Sequence, residues 1–302
     1  MNILFVGGGR RVSLAERFQS AGINVFAYEL DKDVPIRQVA QVIEGKKWTD
    51  EYLKYHLVDV MEENNIDFCL PLQDEAIKYL SIFRTDIPSI VSGYSAAQIC
   101  FDKLEFKKWM GKNFPEIYPE ANFYPCIIKP RFGFGSKDIK VAHSYQDIRE
   151  NYKKYTSKDF IWQSYKRGTE YTVDVYFNLN GEMVGAVPRI RQRVGDGEVI
   201  DSLTEKNYKL QDIVRQVGTS LELKGPCCMQ FIVKDDKVYL FEINARFGGG
   251  SILSLEAGFD MVDMIKREYF NRAVVSVGDY PWDVVQMRRV YREFFFNKQE
   301  KK

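Results

Sequence analysis

CMQFIVKDDKVYLFEINARFGGGS, residues 228–251, is the stretch on which the fold turns. Two strand-like runs, 227–234 and 237–243, flank Asp235-Asp236, the pattern of an antiparallel hairpin closed by a tight turn. Side chains alternate along a strand, so Glu242 and Asn244 share a face, and Gln230 falls on the neighbouring strand. Side-chain oxygens of this kind suit magnesium, which keeps waters and is completed by substrate phosphates. Arg246 follows on the same face, placed to neutralise charge on a transferring phosphoryl group. The turn over residues 248–251 then opens a helical pattern, and its free amides can hold an anionic substrate group. The competing reading is a solvated polar strand end, although the strand is otherwise apolar and core-like.

Upstream, the runs 170–179 and 183–188 extend the antiparallel pattern, and 207–222 and 260–270 carry helical periodicity. VPRIRQRVGDG, residues 187–197, sets Arg189, Arg191 and Arg193 on one strand face. Like charges on one face repel unless they meet anions, so either a substrate anion or a solvated face fits. In FIWQSYKRGTEYTVDVY, residues 160–176, a strand ends at Gln163 and a polar link, 164–169, joins it to the next. Such a hinge can offer backbone groups to an adenine edge and Glu170 to ribose hydroxyls; an ordinary hairpin with exposed charges fits as well. IIKPRFGFGS, residues 127–136, ends a buried strand on Lys129, which is costly to desolvate unless it meets an anion. Gly133, Gly135 and Ser136 follow in a turn whose amides can wrap phosphate oxygens, or simply close a hairpin. No GK[ST] follows at Walker A spacing.

The N-terminal third has another texture. Residues 3–6 are an apolar run ending in Gly7, Gly8 and Gly9; a helical pattern spans 13–20 and a second apolar run 23–28. Strand, glycine turn, helix, strand is the mark of a parallel β-α-β unit. The amphipathic 50–64 and strand-like 67–72 continue it, so residues 1–95 read as an open α/β domain. A compact α+β piece follows: a helix at 102–112, strands at 126–129, 139–141 and 160–163, and a charged helix at 145–155.

Lysine and arginine number 43 against 42 acids, a formal charge of +1, which gives no electrostatic reason to prefer nucleic acid or an anionic membrane. The five cysteines, Cys69, Cys100, Cys126, Cys227 and Cys228, form no CxxC pair, and the only histidines are His56 and His143. Buried thiols are therefore expected rather than a zinc site or disulfides. With no basic leader and no long apolar run, a soluble cytoplasmic protein is expected.

In this order, the segments resemble the ATP-grasp superfamily, and within it the branch of the carbamoyl-phosphate synthase large subunit and amino-acid ligases. The resemblance implies an α/β N-terminal Rossmann-like (pre-ATP-grasp) domain, 1–95, followed by an α+β ATP-grasp fold. That fold divides into a small lid subdomain, 96–165, and a large subdomain with the metal site and tail, 166–302. It implies ATP with Mg²⁺, or Mn²⁺, as cofactors. Lys103 in FDKLEF, Lys129 and the loop with Gly133, Gly135 and Ser136 would contact phosphates. Gln163, Ser164 and Tyr165 match the adenine hinge and Glu170 the ribose acid. Gln230, Glu242 and Asn244 match the metal ligands, and PLQDEA, residues 71–76, matches an acidic end-of-strand motif. Glutamine at 230 and EINAR in place of EINPR depart from the commoner pattern, though glutamine fits this branch.

The implied reaction joins a carboxylate to an amine or thiol through an acyl phosphate, releasing ADP and phosphate. Lys129 and Arg246 would stabilise spreading charge, Arg189 would sit near the amine, and closure of 131–136 would exclude water. Small-molecule substrates and a homodimer are the expected partners. Two alternatives stay open. One is a nicotinamide-dependent oxidoreductase using Gly7, Gly9 and Glu29 or Asp31, although Val12 replaces a third glycine. The other is a catalytically silent ATP-binding module. Arg10 and Arg11, beside a helix start, are candidates for an anionic part of the substrate.

Overall fold

The computed structural model describes residues 1–133, 138–151, 155, 157–195, 197–278, 280–290 and 293. Gly135 and Ser136, together with Phe134, lie outside the described residues, as does most of the tail beyond 290.

The first sheet contains β1 (Asn2–Val6), β2 (Asn24–Glu29), β3 (Gln41–Glu44) and β4 (Phe68–Pro71), all parallel in the order β3-β2-β1-β4. Ile3 to Val6 are completely buried because helices cover both faces of a parallel sheet. The crossovers are α1 (Val12–Ser20) and α2 (Leu53–Glu63), followed by α3 (Asp74–Ile82). β1 leaves the sheet through Gly7, whose φ of +76° favours glycine and whose Cβ would lie 2.4 Å from Gln73 Cγ.

Two helices follow, α4 (Tyr94–Phe101) and α5 (Lys103–Asn113). The expected single helix over 102–112 is thus the second of a pair. Asp102 separates them because its side chain accepts the amides of Leu104 and Glu105, a standard N-cap. A small antiparallel sheet, order β6-β5-β7, contains β5 (Cys126–Pro130), β6 (Lys140–Ala142) and β7 (Phe160–Ser164), with α6 (Tyr145–Asn151) packed on it. The expected helix over 145–155 is α6 as far as Asn151, and residues 152–154 lie outside the described residues.

The largest sheet is antiparallel, order β12-β11-β8-β9-β10-β13. It comprises β8 (Thr169–Phe177), β9 (Met183–Gly195), β10 (Glu198–Thr204), β11 (Gly225–Lys234), β12 (Lys237–Asn244) and β13 (Gln286–Arg288). β9 runs beyond the expected Pro188 because β10, unmarked by any apolar alternation, pairs along its whole far half. α7 (Tyr208–Ser220) begins on Asn207, which accepts the Leu210 amide, and buries Leu210, Val214 and Val217. The expected helix at 260–270 is α9 (Met261–Ile265) continued by a π-turn, Lys266–Phe270; it is preceded by α8 (Ile252–Glu256). All five cysteines are unpaired, and four are buried. Burial pushes Cys69, Cys100 and Cys228 up to about 12, so they sit as neutral thiols. Among the described residues no helix is long and apolar enough to cross a membrane.

Candidate functional site

A cavity of about 1090 Å³ is lined by residues of all three sheets, from Lys129 and the 163–170 link to the Gly7–Arg11 turn. It is larger than the roughly 300–1,000 Å³ typical of one small-molecule site.

Lys129 ends β5 and is 5% exposed. Its Nζ lies 4.8 Å from the centre of the Phe241 ring, and among the described residues no carboxylate comes within ion-pair distance. Burial is the main influence and pushes the ammonium down to about 8; Lys103 adds to it, against Glu242 and Glu170. Lys103, at the start of α5, donates to the Gly133 carbonyl at 2.9 Å. The base of that turn is fixed by Arg131, whose Nε donates to Asp102 at 2.7 Å.

The hairpin β11–β12 delivers the oxygen cluster expected from its alternation. Gln230 and Glu242 oppose one another in register, and Asn244 opposes Cys228 on the same strand pair. All four line the cavity. Asn244 Oδ1 accepts from Arg246 Nη2 at 3.2 Å, while Arg246 Nε donates to Asp74 Oδ1 at 2.7 Å. Arg246 is thus held from both sides, by the first residue of α3 and by the last of β12. The oxygens of Gln230, Glu242 and Asn244 form a donor set that fits a hard divalent cation.

In the 163–170 link, Gln163 is buried and its Nε2 donates to Tyr118 Oη (3.1 Å) and the Phe241 carbonyl (3.3 Å). The amides of Ser164 and Tyr165 donate to the carbonyls of Pro119 and Pro125. These three residues line the cavity, with the Gln163 side chain and the Ser164 and Tyr165 amides engaged internally. Glu170 Oε1 lies 2.8 Å from Arg191 Nε, an ion pair whose N–H is not aimed along the contact.

Arg189, Arg191 and Arg193, for which a substrate anion and a solvated face both stood open, meet acids of the protein itself. Each has its own acid: Asp174, Glu170 and Asp201. Arg193 is 63% exposed and stands outside the cavity, whereas Arg189 is 1% exposed and bound by Asp174 at 2.7 and 3.3 Å. The 248–251 turn is also less open than expected, because the Gly248 amide donates to Ser251 Oγ and α8 is only five residues long.

Sequence reasoning missed Asp74 and Asp174 as partners of the key arginines, and Glu198 on the cavity wall with Arg289 paired to it. Asp174 had a signal, being an acid within the apolar run YTVDVYF and therefore in need of a buried partner. Glu198 had none.

The N-terminal glycine turn does not present an open dinucleotide cradle. The Glu29 carboxyl packs against Gly9, 3.3 Å from where its Cβ would be. Burial pushes Glu29 up, opposed by the Gly9 and Gly8 amides, which the protein's own acid therefore occupies.

The ATP-grasp domain model matches residues 100–250, half of the 302-residue chain. The chain belongs to the ATP-grasp family. This ATP-grasp chain is 25% identical over 237 residues to a carbamoyl-phosphate synthase of Methanobrevibacter smithii, covering 65% of itself and 64% of that relative, so it spans under two thirds of the relative's length. In fold it is similar to an L-amino acid ligase from Bacillus licheniformis, with a TM-score of 0.68 and 14% identity over 89% of this chain and 73% of that one. It is similar also to N5-carboxyaminoimidazole synthetase from Staphylococcus aureus complexed with ADP, with a TM-score of 0.71 and 17% identity over 94% and 79% of the two chains.

Proposed function

We propose that the chain is an ATP-dependent ligase that joins a carboxylate to an amine, or to a thiol, through an acyl phosphate. The observation that carries this is Lys129: a buried ammonium with no acid in contact among the described residues, facing a cavity that also presents Gln230, Glu242 and Asn244. Nucleotide phosphates supply the anion that Lys129 lacks, and the oxygen cluster opposite fits Mg²⁺ or Mn²⁺. The bound cation would supply charge neutralisation on the phosphates. Lys103 and Lys129 bind phosphate oxygens; Arg246, fixed by Asp74 and Asn244, is oriented before the substrate arrives, so little reorganisation is needed as charge spreads. Glu170 and the end of the 163–170 link hold the nucleoside, and Arg189 backs the acceptor region. In this reading residues 1–95 are the Rossmann-like pre-ATP-grasp domain, 96–165 the small subdomain and 166–302 the large one.

ADP release across a panel of acids paired with amines and thiols tests the reading. At least one pairing should turn over, and Glu242→Ala should slow it about a hundredfold or more. Binding of MgADP with no turnover over a broad panel would instead indicate a silent nucleotide-binding module. Full activity of Glu242→Ala in an otherwise active enzyme would remove the metal assignment.

A further inference from the structure

The floor of the cavity buries a hydroxyl that has nothing to bond among the described residues. Thr172 lies within β8, is 1% exposed and lines the cavity. Its Oγ1 has no hydrogen-bond partner there. Burying a hydroxyl without a partner costs free energy that an apolar side chain of the same shape would not. Valine is such a side chain, and β8 uses it at positions 173 and 175, both buried on the opposite face. Strand propensity and packing alone therefore give no reason for threonine at 172.

The strand register defines its surroundings. Directly paired residues of an antiparallel sheet point to the same face. Here Glu242 pairs with Gln230, Gln230 with Thr172, and Thr172 with Arg189. These four side chains make one row across β12, β11, β8 and β9, and all four line the cavity. Adjacent strands are about 4.8 Å apart, so Thr172 is one strand from Gln230 and one from Arg189. Its neighbours along β8 on that face are already engaged: Glu170 with Arg191, and Asp174 with Arg189, Ser251 and Ser254. Thr172 thus puts a neutral, unengaged hydroxyl between the oxygen set that fits a divalent cation and a guanidinium.

We propose that Thr172 Oγ1 donates a hydrogen bond to the terminal phosphoryl group of the nucleotide, the group that passes to the carboxylate. The inference rests on the ligase reading and adds a residue to it. Terminal phosphoryl oxygens sit beside the cation in phosphoryl transfer, and the strand beside Gln230 is β8. A hydroxyl there adds no charge and turns its hydrogen towards whichever oxygen is presented. It destabilises the empty protein and is satisfied when the nucleotide is bound.

Thr172→Val keeps the branched shape and removes the hydroxyl, whereas Thr172→Ser keeps the hydroxyl. Two measurements on the full chain test the assignment. One is urea unfolding without ligand. The other is calorimetric titration with MgADP and with the magnesium complex of the imido analogue of ATP, which carries the terminal phosphoryl group without transferring it. The valine variant should unfold at the same or a higher urea concentration than the wild type, because an unpartnered hydroxyl is gone. It should bind the ATP analogue about tenfold more weakly, the loss of one hydrogen bond to a charged group, and MgADP within about twofold of the wild type. Serine should restore the analogue to within about threefold. The assignment is overturned if the valine variant binds the analogue as the wild type does, or if serine fails to restore it. A parallel loss of MgADP also overturns it, since the hydroxyl would then serve the cation or the inner phosphates. So does a lower unfolding midpoint for valine, which would mean that the hydroxyl is bonded within the protein. If the wild type binds neither nucleotide, the ligase reading falls and takes this assignment with it. Binding of MgADP with an unaffected valine variant removes the assignment alone.

Discussion

At Lys129 burial outweighs every nearby charge, and the sign of the resulting pH dependence can be worked out. Its ammonium falls from 10.5 to about 8, which corresponds to about 3 kcal/mol against the charged folded state. That penalty is present in full below pH 8, where folded and unfolded chains are both protonated. It fades as pH rises from about 8 towards 10.5, so the empty protein gains stability across that window. Phosphate oxygens beside Lys129 would restore the proton. At pH 8.5 the empty site is mostly neutral, and MgADP binding should take up roughly half a proton or more. At pH 6.5 uptake should be near zero. Binding enthalpies in two buffers of different ionisation heat measure this directly, and Lys129→Met should abolish the difference. Equal uptake at the two pH values would show that Lys129 does not meet the nucleotide.

Between elements, the decisive contact is that of β8 with β9, where Asp174 holds Arg189 in the centre of the large sheet. Asp174→Ala leaves a guanidinium buried with no acid and should cost about 3–5 kcal/mol in denaturant unfolding. The double variant Asp174→Ala/Arg189→Met should recover much of that, since an apolar pair of similar bulk replaces the ion pair. A double variant as unstable as the single one would mean that Asp174 matters through Ser251 and Ser254 instead. The strand pair carrying Gln230, Glu242 and Asn244 was legible in the sequence because a period of two fixes which side chains share a face. The partner of Arg246 was not legible, because Asp74 is 172 residues away and only the docking of α3 against the end of β12 brings them together. β10 was equally hidden: in GEVIDSLT the buried positions include Ser202 and Thr204, so no apolar alternation marks the strand. Arg189, Arg191 and Arg193 were visible as a row, but their acids sit on β8 and β10, and local spacing cannot show neighbours of that kind.

For the whole molecule, the distribution of apolar contacts predicts which part opens. One core cluster combines Ile3 and Phe5 of the first sheet and Phe18 of α1 with Phe247, Phe259 and Met261 beyond β12. The parallel sheet and the large sheet are therefore joined through a common core, and separating them would expose many buried side chains. Among the described residues, the small sheet's own cluster buries Ile128, Ala142, Ile148 and Tyr155. Among the described residues its links to the rest include Gln163 to the Phe241 carbonyl, Arg131 to Asp102 and the stacking of Phe132 on Phe101. Local opening free energy follows buried apolar contact, so β5, β6 and β7 should exchange their amides faster than β1 and β4. A nucleotide held between Lys129 on β5 and Glu242 on β12 would tie the small sheet to the large one, and protection of β5 and β7 should rise on adding MgADP. Hydrogen exchange read by mass spectrometry on the full chain, with and without MgADP, measures both effects. Uniform exchange across the three sheets would mean that the small sheet is braced more firmly than its core implies. Slowing confined to β1 and β4 would place the nucleotide at the N-terminal glycine turn instead of at Lys129.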